Sequence, residues 1–293
     1  MKNRYYLSIL LALFCQQSFA QKYQLELSAG IINYQGDLQP HIFTFKQSKP
    51  ALGAFIKYQV SGHFTARAGF SIGSLYADDK FNRSYLQSRN LNFRTKLTEA
   101  QIGLECYLMN IQEHKFSPYI TVGLASFHFN NYTYDQAGNK IYLNPLSTEG
   151  EGLVEYPGRK KYKLTQAAFP FGEGFLYKIN CNMSISAEFC QRKLFTDYLD
   201  DVSTTYIDQN VLLSERGAKA VELAFRGDEF PGGTAYPPDG EGRGNPKQHD
   251  WYYTATIKCS IGLVNCNTGN FILSGIFGGG KRSSRGVRCP RQF

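Results

Sequence analysis

The sequence predicts an all-β fold: an eight-stranded antiparallel up-and-down transmembrane β-barrel with short periplasmic turns and long outer loops. Three observations lead there. Segments of ten residues or more alternate apolar and polar residues with period 2, the pattern of a strand with two unlike faces. The connections between them run long, short, long, short, long, short, long. No run approaches the roughly 20 apolar residues that a membrane helix needs. An even strand count with loops sorted by length is the pattern of outer-membrane barrels. A soluble eight-stranded barrel of lipocalin type is the alternative, with its charges turned outward and its apolar faces inward.

The stretch Pro50 to Ser74 sets the pattern. Leu52, Ala54, Ile56, Tyr58 and Val60 alternate with Gly53, Phe55, Lys57 and Gln59. After the turn Ser61-Gly62-His63, Phe64, Ala66, Ala68, Phe70 and Ile72 alternate with Thr65, Arg67, Gly69, Ser71 and Gly73. This is a hairpin with one lipid-compatible face and one polar face. It supplies strands two and three.

Upstream, Met1 to Ala20 reads as a secretory signal peptide, with Lys2 and Arg4 before a short apolar core and small residues at its end. Phe14 precedes Cys15 where a lipoprotein site would have a small residue. Strand one is Lys22 to Tyr34, followed by a loop to Lys49. Leu75 to Lys96 is a second long loop. Strand four, Leu97 to Leu108, sets Ala100, Ile102, Leu104 and Cys106 against Glu99, Gln101, Gly103 and Glu105. Strand five, Ser117 to Phe129, is apolar on both faces, so its orientation stays open. A loop from Asn130 to Lys161 leads to strand six, Tyr162 to Ile179, where Pro170, Gly172 and Gly174 suggest a bulge or bend. Strand seven is Met183 to Arg192. The longest loop, Lys193 to His249, carries a Gly- and Pro-rich centre. Strand eight is Asp250 to Leu263. The domains are therefore a signal peptide (1–20), a barrel (21–265) and a C-terminal periplasmic tail (266–293).

Lys57, Arg67, Glu99, Glu105, Glu188 and Lys258 share the polar faces and form the expected lumen charge network. An eight-stranded barrel is just wide enough for side chains to fill, so these charges pair and plug it. The 22 Phe and 20 Tyr suit strands and interfacial girdles.

Formal charge is +8, from 32 Lys and Arg against 24 Asp and Glu. No basic run is long enough for nucleic acid. The most basic stretch is the tail, where Lys281, Arg282, Arg285, Arg288 and Arg291 are a candidate partner contact. Cys181 and Cys190 on one straight strand would stand about 30 Å apart and cannot pair. Cys266 and Cys289 flank the tail and are placed to pair. No CxxC or CxxH spacing points to zinc.

Ser126 and His128 fall on the same face of strand five, the weak outline of a hydrolase pair with no third member. His41, His63, His114 and His249 sit in loops or turns without ligand spacing. Thr196, Asp197, Tyr198, Asp200 and Asp201 form the densest polar motif, in an outer loop. Its carboxylates lack the glycine and terminal glutamate of a calcium loop, and a structured loop held by capping aspartates is the reading. No cofactor, metal or small-molecule substrate is expected.

Several pieces, in order along the chain, resemble one family. They are Tyr34-Gln35-Gly36-Asp37-Leu38, Lys49-Pro50-Ala51-Leu52-Gly53, Asp78-Asp79-Lys80, Arg89-Asn90-Leu91-Asn92-Phe93, Ser117-Pro118-Tyr119, Thr148-Glu149-Gly150, Pro170-Phe171-Gly172, Thr196 to Ser203 and Cys289-Pro290-Arg291. Together the chain resembles the PorG-like outer-membrane barrels of Bacteroidetes, which include a component of the type IX secretion apparatus. The resemblance implies an outer-membrane location, with outer-membrane lipid and periplasmic secretion-ring proteins as partners; it does not imply an enzyme, and none is expected. An envelope-stabilising or adhesin-type barrel outside secretion is the alternative.

Overall fold

The computed structural model describes residues 22–42 and 44–263. The expected signal peptide, the 266–293 tail with its five basic residues, and the proposed Cys266–Cys289 pair lie outside the described residues. The strands are β1 (Tyr23–Gln35), β2 (Lys49–Gln59), β3 (Phe64–Asp78), β4 (Asn92–Tyr107), β5 (Phe116–His128), β6 (Tyr132–Tyr134), β7 (Lys140–Tyr142), β8 (Thr165–Lys178), β9 (Met183–Leu194) and β10 (Trp251–Gly262). Eight of them close an antiparallel barrel in the order β1, β2, β3, β4, β5, β8, β9, β10, and β10 returns to β1. The hairpin β6–β7 stands on the outer end of β4.

The register fixes the barrel's shape. Partners followed round the wall from Tyr23 run through Tyr58, Ala66, Leu104, Val122, Phe171, Gln191 and Tyr253, and arrive at Asn33. The stagger is thus ten residues, from 23 to 33. Eight strands with this stagger tilt by about 40° to the axis and leave a lumen that side chains can fill.

Short turns close one end. Ser61 Oγ accepts the His63 and Phe64 amides, Asn110 Oδ1 accepts Gln112 N, and Asn180 Oδ1 accepts Asn182 N. Such side-chain acceptors let the backbone reverse within a few residues.

Each strand crosses two zones. In the turn-side zone the exterior is apolar: Leu27, Leu52, Ile56, Phe70, Ile102, Ile120, Leu124, Phe175, Ile185 and Ile257 are all exposed. Aromatic bands bound it. Tyr23 packs against Tyr58 and Phe116 stacks on Phe175 on the turn side, while Phe169, Phe171, Trp251 and Tyr253 form a chain of ring contacts on the other. An apolar belt between aromatic girdles around a charged lumen identifies a membrane-spanning barrel of the outer-membrane type. In the outer zone the alternation inverts. Ile32, Tyr34, Leu75, Ala77, Phe93, Phe127 and Leu194 now point inward and form the hydrophobic core. Arg94, Lys96, Ser126, His128 and Lys193 face outward.

This inversion corrects the expected boundaries. β3 runs on to Asp78 and β4 begins at Asn92, so part of the expected 75–96 loop is strand. The 130–161 loop contains β6 and β7, and the 193–249 loop contains helices α1 (Gln209–Arg216) and α2 (Ala218–Ala224). The expected bulge at Pro170 is absent. Val122↔Phe171 and Ala125↔Ala168 hold one register, and pairing lapses only between them, where Pro170 has no N–H to give. Strand five turns Ser117, Tyr119, Thr121 and Phe127 inward, which resolves its orientation.

Cys190 is buried and free, as are the half-buried Cys106 and Cys259. Cys181 is disulfide-bonded.

Candidate functional site

Within the membrane zone six charges form a closed ring across the lumen. Lys57 Nζ lies 3.1 Å from Glu26 and 2.6 Å from Glu105. Arg67 joins Glu105 at 3.2 Å and Glu188 at 2.8 Å. Lys258 lies 2.6 Å from Glu188 and 3.5 Å from Glu26. Acids and bases alternate round the circle, so the ring is neutral. Tyr107 donates to Glu105, Tyr119 to Glu188 and Ser260 to Glu26. The Phe55 ring packs under Arg67 at 5.4 Å and Lys258 at 5.8 Å. Burying charges without such partners costs several kcal/mol per ion.

A second tier lies toward the outer end. Arg192 reaches Glu99 at 3.2 Å, and Tyr252 and Ser71 donate to the same carboxylate. The space between the tiers is about 20 Å³, room for roughly one water. Five of the six expected lumen charges thus share the ring, and the sixth, Glu99, belongs to the second tier. Glu26 and Arg192 are the members that sequence reasoning missed. Their signal was parity: both stand on the polar face of an alternating strand.

Above the tiers the long loops fold into a cap. Arg89 holds Asp79 at 2.8 Å and donates to the carbonyls of Asp37 and Arg243. Arg243 in turn bonds Glu149 at 3.0 Å and the Asp201 carbonyl at 2.5 Å. Glu149 also accepts the amides of Ser203 and Thr204. The Tyr34 hydroxyl lies 2.5 Å from Asp200 and 2.9 Å from Asp250. Gly36 makes room for that contact, because a Cβ there would stand 2.0 Å from Asp250. Asp201 has φ +69°, a left-handed turn that Asp tolerates. Its carboxylate is fixed by Thr148 and Tyr162.

The expected outer-loop motif is therefore internal. Thr196, Asp197, Asp200 and Asp201 are buried, and the half-buried Tyr198 stacks on Tyr162 at 4.9 Å. These residues hold the cap together and are not presented to the outside. Among the described residues no group of His, Cys, Asp or Glu is arranged to hold a metal ion.

Burial sets the cap's response to pH. Asp197 is pushed up to about 8 by burial, against the Ser203 hydrogen bond and with help from Asp37 and Glu149. Glu151 is pushed up to about 8 by burial and by Asp201 and Glu149. Each keeps one carboxylate oxygen buried without a partner. Both acids hold protons in the folded cap at pH values where the unfolded chain has lost them. Their stabilising effect is full below about pH 4 and is lost as pH rises through about 8. The cap should open more readily at pH 8.5 than at pH 5.5. Hydrogen exchange over 196–206, corrected for intrinsic rates, reads this, and Asp197→Asn should flatten the difference. Equal opening at both pH values would contradict the assignment.

Ser126 and His128 are exposed on the barrel's outer surface, where His128 bonds Thr165 at 3.0 Å. They sit at the level where the wall leaves the belt, which accounts for their polarity.

A family model described as a domain of unknown function, DUF6089, matches residues 3–213. The chain belongs to that family. No curated protein sequence matches it. Among solved structures the DUF6089 chain is similar to Neisserial surface protein A, at 7% identity and TM-score 0.44, over 82% of this chain and 96% of that one. It is similar to Ail, the attachment invasion locus protein of Yersinia pestis, at 8% identity and TM-score 0.39, over 82% and 97%. A major outer-membrane protein of Thermus thermophilus matches at 11% identity and TM-score 0.37, over 82% and 98%.

Proposed function

We propose that this DUF6089 barrel is a non-catalytic anchoring component of a type IX protein-secretion assembly in the outer membrane. One observation carries the anchoring role. The lumen is filled by paired charges and its outer mouth by a buried polar cap, so the protein works through its surfaces rather than by conduction. The secretion role rests on the resemblance to PorG-like barrels. It is supported by where the resembling pieces meet: Tyr34 to Leu38, Asp78 to Lys80, Arg89 to Phe93, Thr148 to Gly150 and Thr196 to Ser203 all build the one cap. On this reading the basic tail residues Lys281, Arg282, Arg285, Arg288 and Arg291 contact periplasmic secretion-ring proteins.

Deleting the gene should block export of the assembly's cargo. Truncation after residue 265 should release the ring proteins while leaving the barrel's heat-dependent gel mobility unchanged. Normal secretion together with altered adhesion or envelope integrity would replace this reading by the adhesin or envelope-stabilising one.

A further inference from the structure

Among the described residues, the lipid-facing surface carries one charged side chain. Glu173 is exposed on the outside of β8. Along β8 the outward positions read Tyr177, Phe175, Glu173, Phe171 and Phe169 from the turn side upward. Glu173 is the middle one, between the two aromatic bands. Its cross-strand neighbours are Ile120 and Phe189, both apolar. Among the described residues no other charged side chain faces outward within the belt, since Arg94, Lys96 and Lys193 stand above it.

A carboxylate facing lipid at mid-depth is destabilising, and lumen positions are where such barrels normally place charge. Beside Glu173 the wall has a groove of about 300 Å³, lined by Ile120, Val122, Phe171, Phe189 and Gln191. Its walls are apolar, with an acid and an amide within it. That suits an aliphatic stem ending in a cation.

We infer that the β5–β8–β9 face is a lateral docking surface for a second, different outer-membrane protein that presents a Lys or Arg at mid-belt depth. Charge complementarity selects the occupant. A second copy of this chain offers no cation on its described belt and would set Glu173 against Glu173. Lipid headgroups lie at the wrong depth. The inference rests on the membrane-spanning barrel and stands apart from the secretion role, so a normal secretion phenotype leaves it intact.

The test is site-specific photo-crosslinking in the native envelope. A photoreactive residue replaces Gln191, and a control replaces Ala54 on the far side of the barrel, on β2. The expected result is one discrete protein adduct from position 191 and none from position 54. The adduct's crosslinked peptide should carry Lys or Arg within a membrane-spanning strand. Its yield should fall by about tenfold or more in Glu173→Gln and vanish in Glu173→Lys, because an unpaired desolvated charge weakens association steeply. Both variants should keep heat-dependent mobility, which shows that the barrel still folds. An adduct of twice this chain's mass, a lipid-only adduct, or a protein adduct indifferent to Glu173→Lys would each overturn the inference.

Discussion

Replacing Arg67 with Met should lower the barrel's stability by about 3–5 kcal/mol, the usual cost of removing one partner from a buried ion pair. Among the described residues Arg67 is the only base that touches both Glu105 and Glu188, and its side chain is 1% exposed. Without it the ring holds three acids and two bases. Glu188 keeps Lys258 and Glu105 keeps Lys57, at 2.6 Å each, but the circle carries an uncompensated negative charge. The decisive comparison is Arg67→Met with Glu188→Gln. That pair restores neutrality and should return stability to within about 1 kcal/mol of the parent, since balanced loss of a buried pair is often nearly neutral. Denaturant unfolding in lipid vesicles measures both. A single variant costing less than about 1 kcal/mol, or a double variant no better than the single, would remove the ring from the account of stability.

The ring also settles which face points inward on the six strands that contribute to it. A strand has period 2, so a slip of one residue exchanges its faces. Placing Lys57, Arg67, Glu105, Glu188, Lys258 and Glu26 in lipid would be prohibitive, and this fixes the registry of six strands at one level.

Much of this was legible in the sequence. The alternation located the strands, and the loop rhythm separated turns from outer loops. The parity of Lys57, Arg67, Glu99, Glu105, Glu188 and Lys258 assigned them to the lumen. The ring itself was not legible, because it depends on the stagger round the whole wall. Arg67 and Glu188 meet 121 residues apart in sequence. The outer zone hid for a different reason. Above the membrane the exterior is wet and the interior dry, so the rule that marks a lipid-facing strand changes sign at Leu75 and Phe93. A reading tuned to the belt ends the strands there. The cap's bonding was hidden too: the aspartates read as capping groups of one structured loop, while their partners lie far off in sequence, with Arg243 42 residues on from Asp201 and Tyr34, Arg89 and Glu149 in other segments.

The cap supplies the second large effect. Arg243→Ala should leave the barrel folded and heat-modifiable but make the 193–249 region sensitive to protease. Arg243 is 2% exposed and braces its own loop against the 130–161 loop: it bonds Glu149, the Asp201 carbonyl and the Ala224 carbonyl, the last at 3.1 Å. Its own carbonyl accepts from Arg89, which ties in the 79–89 segment. Losing a buried, multiply bonded guanidinium costs about 3 kcal/mol or more. The barrel wall does not share that loss, because the ring and the strand ladders make no use of Arg243. At tenfold for each 1.4 kcal/mol, a protease that cuts only the opened cap should then act about 100-fold faster. Arg243→Lys keeps the charge but not the planar fork of donors, and should recover only part of the protection. Proteolysis of intact cells, followed by the fragment pattern on gels, distinguishes the outcomes. Unchanged cutting in Arg243→Ala would mean that the cap is held by Tyr34, Asp200 and the 196–206 turn alone. Collapse of the barrel's heat-modifiability would mean that wall and cap fold as one unit.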